Sequence, residues 1–210
     1  MDAAEEVEFP VRGLMVNPAI NFMSIPFLER VIDGLVANKM NYLHMHLTDV
    51  TSFPVVSAKY PQLADKGRMG LLLEDTSPSS ATTYTASGLR GLVAYAGARG
   101  VRVVPEFDMP GHGGWHYGMP QLCLSSCPHI LDVTQDAVYD FLVDFLTEMG
   151  GIFADPVLML GGDEGNRHDQ QQRLDIFVSH SVYAIPGTRL IEATPLAALT
   201  SVWGLCVSSV

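Results

Sequence analysis

The sequence predicts an α/β fold, a parallel sheet covered by helices. Three observations predict it. Apolar runs alternate with amphipathic stretches in a β-α-β-α-β-α-β order. Polar clusters follow three of the apolar runs, at the place where parallel α/β folds carry their chemistry. Finally, a chain of 210 residues with 48% hydrophobic and 17% charged content has the means to bury a substantial core.

Each element has its own reason. Gly13 to Val16 reads as a short strand that stops at the Asn17-Pro18 turn. Ile25 to Asn38 places Phe27, Leu28, Val31, Ile32, Leu35 and Val36 at helical spacing, with Ser24 as N-cap and Pro26 just inside. Asn41 to Leu47 is the second strand, and the Ser-, Pro-, Gly- and Asp-rich stretch from Thr51 to Ser80 reads as a long loop. Thr85 to Arg99 is a helix with Leu89, Leu92, Val93 and Ala96 on one face and Gly100 where a C-terminal cap belongs. Val101 to Phe107 is a buried strand, followed by a Pro/Gly/His-rich loop to about His129. Gln135 to Met149 is the third helix, with Thr134 as its cap, and Val157 to Leu160 is the fourth strand.

Four such units amount to half of a (β/α)8 barrel, which takes about 250 residues when whole. The predicted organisation is therefore an acidic segment at 1–10, a partial barrel at 11–167 and a divergent tail at 168–210, where the alternation no longer continues clearly. Half a barrel leaves strand edges open, so the chain is expected to be aggregation-prone unless it forms a homodimer or is completed by other strands.

Composition excludes some partners. A net charge of −11 with 12 basic residues, and no Lys/Arg run, argues against a nucleic-acid surface. No apolar run approaches the roughly 18 residues needed to span a bilayer. The first ten residues are acidic and show no secretory leader, which leaves the compartment open. Of the three cysteines, Cys123 and Cys127 are spaced for neither a zinc ribbon nor a redox pair, though a local disulfide between them is open.

The chemistry-bearing residues sit after the strands. In Gly161-Gly162-Asp163-Glu164 the glycines let the backbone approach a ligand, and two consecutive carboxylates follow. The competing reading is a solvated turn, against which stands the buried run Val157 to Leu160 before it. Asp108 and His112 could form a carboxylate–imidazole pair that fixes a tautomer, or His112 could bond its own loop. His44 and His46 share a strand face. They suit either a structural pair or a metal site, the latter needing ligands such as His112, Asp108 or Asp163. Trp115 and Tyr117 could stack on a sugar or pack beneath their loop.

Taken together, several segments resemble the β-N-acetylhexosaminidases of glycoside hydrolase family 20. They are RGLMV (Arg12 to Val16), NKMNYLHMHLTD (Asn38 to Asp49), SFP (Ser52 to Pro54) and YT (Tyr84-Thr85). ARGVRVVPEFDMPGH (Ala98 to His112) and LGGDE (Leu160 to Glu164) complete the set. Their order matches the first half of the family's catalytic barrel over roughly residues 10 to 166. The chain departs from the pattern at Asn17, Ile20 and Asn21, at Gly88 and at Met159, where the family commonly carries other residues.

The resemblance implies an exo-acting enzyme that removes terminal N-acetylglucosamine or N-acetylgalactosamine from glycans without a metal or other cofactor. The substrate's own acetamido oxygen would be the nucleophile, an exception to the two-carboxylate scheme. Glu164 would be the general acid and then the base, and Asp163 would hold the acetamido N–H. Arg12 would bind sugar hydroxyls, and Asp49 and His112 would line or support the site. The family's second barrel half supplies tryptophans and a tyrosine around the acetamido group; no matching segment is evident here, so a catalytically inactive fragment is the alternative. A metal-dependent barrel hydrolase built on His44 and His46 is the third reading.

Overall fold

The computed structural model describes residues 9–67, 82–153 and 155–162, together with the backbone of Arg189–Ile191. Five parallel strands form one sheet: β1 (Gly13–Val16), β2 (Tyr42–His46), β3 (Arg102–Glu106), β6 (Val157–Met159) and β7 (Arg189–Ile191). They lie side by side in chain order, β1-β2-β3-β6-β7. The register runs Val16 to Met45, Met45 to Pro105, His46 to Glu106 and Glu106 to Met159. Strands one to four of the sequence reading are thus present. β7 adds a fifth inside the stretch read as a divergent tail, where no clear alternation announced it.

Three long helices separate the first four strands: α1 (Ile25–Ala37), α3 (Ala86–Gly97) and α5 (Asp136–Gly150). α1 buries Leu28, Ile32 and Leu35, whereas Phe27 and Val36 of the expected apolar stripe are exposed. Arg30 lies over the Phe27 ring, which accounts for that aromatic at the surface. α3 buries Leu89, Leu92 and Ala96, and its Thr85 cap accepts the Gly88 amide at 3.1 Å. α5 buries Val138, Phe141, Leu142, Phe145, Leu146 and Met149. Its N-cap is Gln135, not Thr134. Asp132 takes the Thr134 hydroxyl at 2.6 Å and its amide at 3.1 Å, so that side chain turns back before the helix begins.

The stretches read as loops are partly regular. α2 (Gln62–Gly67) lies in the first. The second holds α4 (Trp115–Gly118), a 3-10 turn at Pro120–Leu122 and an antiparallel hairpin of β4 (Cys123–Leu124) and β5 (Cys127–Leu131). Cys123 there is a free, buried thiol, so no bridge joins it to Cys127. Burial raises its pKa to about 11, which keeps it protonated and inert. Trp115 is fully buried. It packs edge-on against Phe141 and Phe145, and its ring lies 5.3 Å from Phe53. Of its two readings, Trp115 takes the one beneath its loop and not the sugar-stacking one: it ties the loop to Phe141 and Phe145 of α5, and the indole N–H donates to the Asp108 carbonyl at 3.1 Å.

The first loop is fastened by two residues of α5: Asp144, which accepts from Lys59 Nζ at 2.7 Å and from the Tyr60 hydroxyl at 3.3 Å, and Glu148. Glu148 accepts the Ser57 hydroxyl and the Ala58 amide at 2.6 Å and the Lys59 amide at 3.3 Å. Among the described residues no helix is long and apolar enough to cross a membrane.

Candidate active site

Parallel pairing brings the carboxyl ends of β2, β3 and β6 to one level, and the ladder continues beyond them. Leu47 donates to the Glu106 carbonyl, Phe107 to the Met159 carbonyl and Met109 to the Leu160 carbonyl, each at 3.0 Å. The segments Leu47 to Asp49, Phe107 to Asp108 and Leu160 to Gly162 are therefore held side by side as they leave the sheet. Such strand ends form the mouth of a parallel α/β fold.

Glu106 is at the centre of that level and only 9% exposed. Its Oε2 accepts His44 Nε2 and, at 3.2 Å, His46 Nδ1. The two-residue strand period puts both imidazoles on one face, and the pairing of His46 with Glu106 brings the carboxylate to them. Burial pushes the Glu106 carboxyl up, but the hydrogen bonds from His44 and His46, with their charges, bring it down to about 2. For His46, burial lowers the pKa and is outweighed by the Glu106 hydrogen bond and the charges of Glu106, Asp108 and Asp49, so the net direction is up. Both imidazoles of the metal reading are thus occupied by a carboxylate. Among the described residues no group of three His, Cys, Asp or Glu side chains is placed to hold a metal ion.

Asp108 is 5% exposed and organises the next layer. Its amide donates to the Thr48 hydroxyl at 2.9 Å, and its Oδ1 accepts the Gly162 amide at 3.0 Å. Gly161 and Gly162 have φ of +62° and +100°, a left-handed region that L side chains avoid. A Cβ on Gly161 would come within 2.0 Å of Asp108 Oδ1 and 3.1 Å of Glu106 Oε1. Two requirements, conformation and close approach, thus demand glycine there. Asp163 and Glu164, next in sequence, lie outside the described residues.

Of the remaining predicted residues, Asp49 is buried at the mouth. Its Oδ1 accepts the Thr51 amide at 3.2 Å and hydroxyl at 3.3 Å, and its Oδ2 lies 4.0 Å from His46 Nε2. His112 is half-buried in the loop after Asp108, with φ of +50°. Arg12 is not brought to this cluster. It precedes β1, level with Asn41 at the amino end of the sheet. There its Nε donates to the Lys39 carbonyl at 2.6 Å and its Nη1 to the Phe9 carbonyl. Sequence reasoning gave Glu106 and Thr48 no role. The available signal was a charged residue inside a run otherwise fit for a fully buried strand.

The comparisons agree with this architecture. The profile of glycosyl hydrolase family 20, catalytic domain, matches residues 9–180. Beta-hexosaminidase A of Caenorhabditis briggsae is 36% identical over 170 residues, 76% of this chain and 29% of that protein. Beta-hexosaminidase subunit beta of Mus musculus is 34% identical over 171 residues, 77% of this chain and 30% of that protein. The chain thus spans about 30% of the length of these relatives. Among solved structures, the family 20 beta-N-acetylhexosaminidase of Streptomyces coelicolor A3(2) superimposes with a TM-score of 0.78 at 25% identity. It covers 93% of this chain and 41% of that one. A family 20 beta-N-acetylglucosaminidase gives 0.73 at 26% identity, covering 88% of this chain and 43% of that one. With its profile match running through the strand-end cluster, the chain belongs to glycosyl hydrolase family 20.

Proposed function

We propose that this chain carries the acid/base machinery of an exo-acting β-N-acetylhexosaminidase, cleaving terminal N-acetyl-β-hexosamine residues from glycans with retention of configuration. The observation that supports it most directly is the Gly161–Gly162 turn held on Asp108 at the carboxyl ends of the strands, with two carboxylates next in sequence.

The chemistry follows from those residue types. The acetamido carbonyl oxygen of the substrate attacks the anomeric carbon as the bond to the leaving oxygen breaks. Glu164 gives its proton to that oxygen. Asp163, accepting from the acetamido N–H, stabilises the positive charge that develops there. Water then attacks the anomeric carbon, loses a proton to the Glu164 carboxylate, and the acetamido group is restored. Asp49 and His112 line the mouth and meet sugar hydroxyls or support Glu164. Arg12, assigned to sugar hydroxyls by the resemblance, would first have to release the Lys39 and Phe9 carbonyls. The first four parallel strands, within a catalytic unit of residues 11–167, represent part of a (β/α)8 barrel that β7 extends.

The test is release of 4-nitrophenol from its N-acetyl-β-glucosaminide and N-acetyl-β-galactosaminide by the purified chain. Glu164→Gln is expected to lower kcat about 10²- to 10⁴-fold, the usual worth of a positioned proton donor. Wild-type turnover indistinguishable from Glu164→Gln would sink the assignment. A second reading is a sugar-binding or inactive family member, in which Arg12 stays on the Lys39 and Phe9 carbonyls. It predicts binding of N-acetylglucosamine with no turnover.

A further inference from the structure

Glu106 is the one mouth carboxylate to which neither the sequence motifs nor the proposed reaction gives a task. Its surroundings are unusually specific. Oε2 accepts from His44 Nε2 and His46 Nδ1. An ionised carboxylate only accepts hydrogen bonds, so the proton in each contact belongs to the imidazole. That makes His44 an Nε2–H donor and His46 an Nδ1–H donor. The other nitrogen of His46 then faces Asp49 Oδ2 at 4.0 Å. The second oxygen, Oε1, lies against Gly161, 3.1 Å from where a Cβ would be, beside Asp108 Oδ1. One buried carboxylate therefore bears on both sides of the mouth: it holds the β2 side through His46 and leaves no room for a side chain at Gly161 on the β6 side.

We propose that Glu106, clamped between His44 and His46, is a positioning residue that sets Asp49 through His46 and, together with Asp108, walls the Gly161–Gly162 turn. What it positions for is taken from the hexosaminidase reading; how it positions is independent of that reading. The groups facing His46 are Glu106 and Asp108 from β3 and the segment after it, and Asp49 from the segment after its own strand. A cationic His46 can thus serve two carboxylates at once, one through each ring nitrogen. Glutamine in place of Glu106 offers one acceptor oxygen instead of two and turns an NH₂ toward either the imidazoles or Gly161. With that oxygen kept on the imidazoles, the NH₂ faces Gly161 in place of an anionic oxygen and competes with the Gly162 amide for Asp108 Oδ1.

The experiment uses the full 210-residue chain labelled with ¹⁵N, wild type and Glu106→Gln. Long-range ¹H–¹⁵N spectra of the rings should show protons on His44 Nε2 and His46 Nδ1 in the wild type, and loss of the His46 Nδ1 preference in the variant. With far-UV circular dichroism unchanged, Gly162 amide exchange in Glu106→Gln should be about tenfold faster, as for loss of one local restraint. Wild-type spectra with His46 unprotonated at Nδ1 overturn the proposal, and they decide it even if Glu106→Gln does not fold. A folded Glu106→Gln with Gly162 exchange unchanged also overturns it. N-acetylglucosamine titration separates the two claims. Failure of the wild type to bind it counts against the hexosaminidase reading, while expected ring and Gly162 results still support the positioning role.

Discussion

At the mouth, single atoms decide what is tolerated. Gly161→Ala places a methyl 2.0 Å from Asp108 Oδ1 on a backbone already at φ +62°. The left-handed conformation alone costs about 1–2 kcal/mol for an alanine. The clash adds displacement of the carboxylate that holds Gly162, so urea unfolding should show a loss above that figure and sugar binding should weaken. Glu106 and His46 make the fold pH-sensitive with opposite signs. Glu106 sits at about 2, below its ordinary 4.5. Its contribution, on the order of 3 kcal/mol, is present above 4.5 and lost as pH falls toward 2. His46 is raised above its ordinary 6.5, so its contribution is complete below 6.5 and lost as pH rises through the higher folded value. Thermal unfolding from pH 3 to 8 should therefore peak between 4.5 and 6.5. His46→Gln should remove the alkaline decline and lessen the acidic one, which His44 alone then supports.

Among the elements, α5 does the most to hold the mouth in place. Its Phe141 and Phe145 pack on Trp115, whose indole N–H holds the Asp108 carbonyl. Its Glu148 closes the loop that runs from Asp49 toward α2. Replacing Glu148 with Ala leaves the buried Ser57 hydroxyl and two amides without their acceptor, a cost of about 1–3 kcal/mol. Amide exchange should quicken at Ala58 and Lys59 before it does in β2. Equal protection of both in the wild type and the variant would show that the loop is held by something other than Glu148. The element reading from sequence was sound where the apolar spacing was long, as in α3 and α5. It failed at Thr134, whose side chain is taken by Asp132, and after Pro110, where a stretch read as loop carries α4 and the β4–β5 hairpin and packs on α5 through Trp115. Capping competition and aromatic clustering both depend on partners that are not sequence neighbours.

For the whole molecule, the β1 side of the sheet presents an apolar edge. Among the described residues β1 lies at the end of the strand order, with Leu14 45% and Met15 55% exposed and Phe9 and Val11 more so. An exposed apolar edge strand is a template for pairing. The purified chain is expected to self-associate with rising concentration, and Met15→Lys should shift sedimentation toward the monomer. A compact wild-type monomer at all concentrations would mean that this edge is not a contact surface.

Sequence by itself determined the parallel α/β class, the order of the first four strands and the family, because apolar periodicity and contiguous motifs are local properties of the chain. It also singled out Asp49, His112 and the Gly161–Gly162 turn as residues that follow strands. The tertiary structure alone decided which of them meet. Parallel register put Glu106 level with His46, burial joined it to His44, and the β6 ladder carried Gly161 onto Asp108 and Glu106. The same register left Arg12 at the far end of the sheet. Proximity between strands more than fifty residues apart is set by their pairing, which no local pattern encodes.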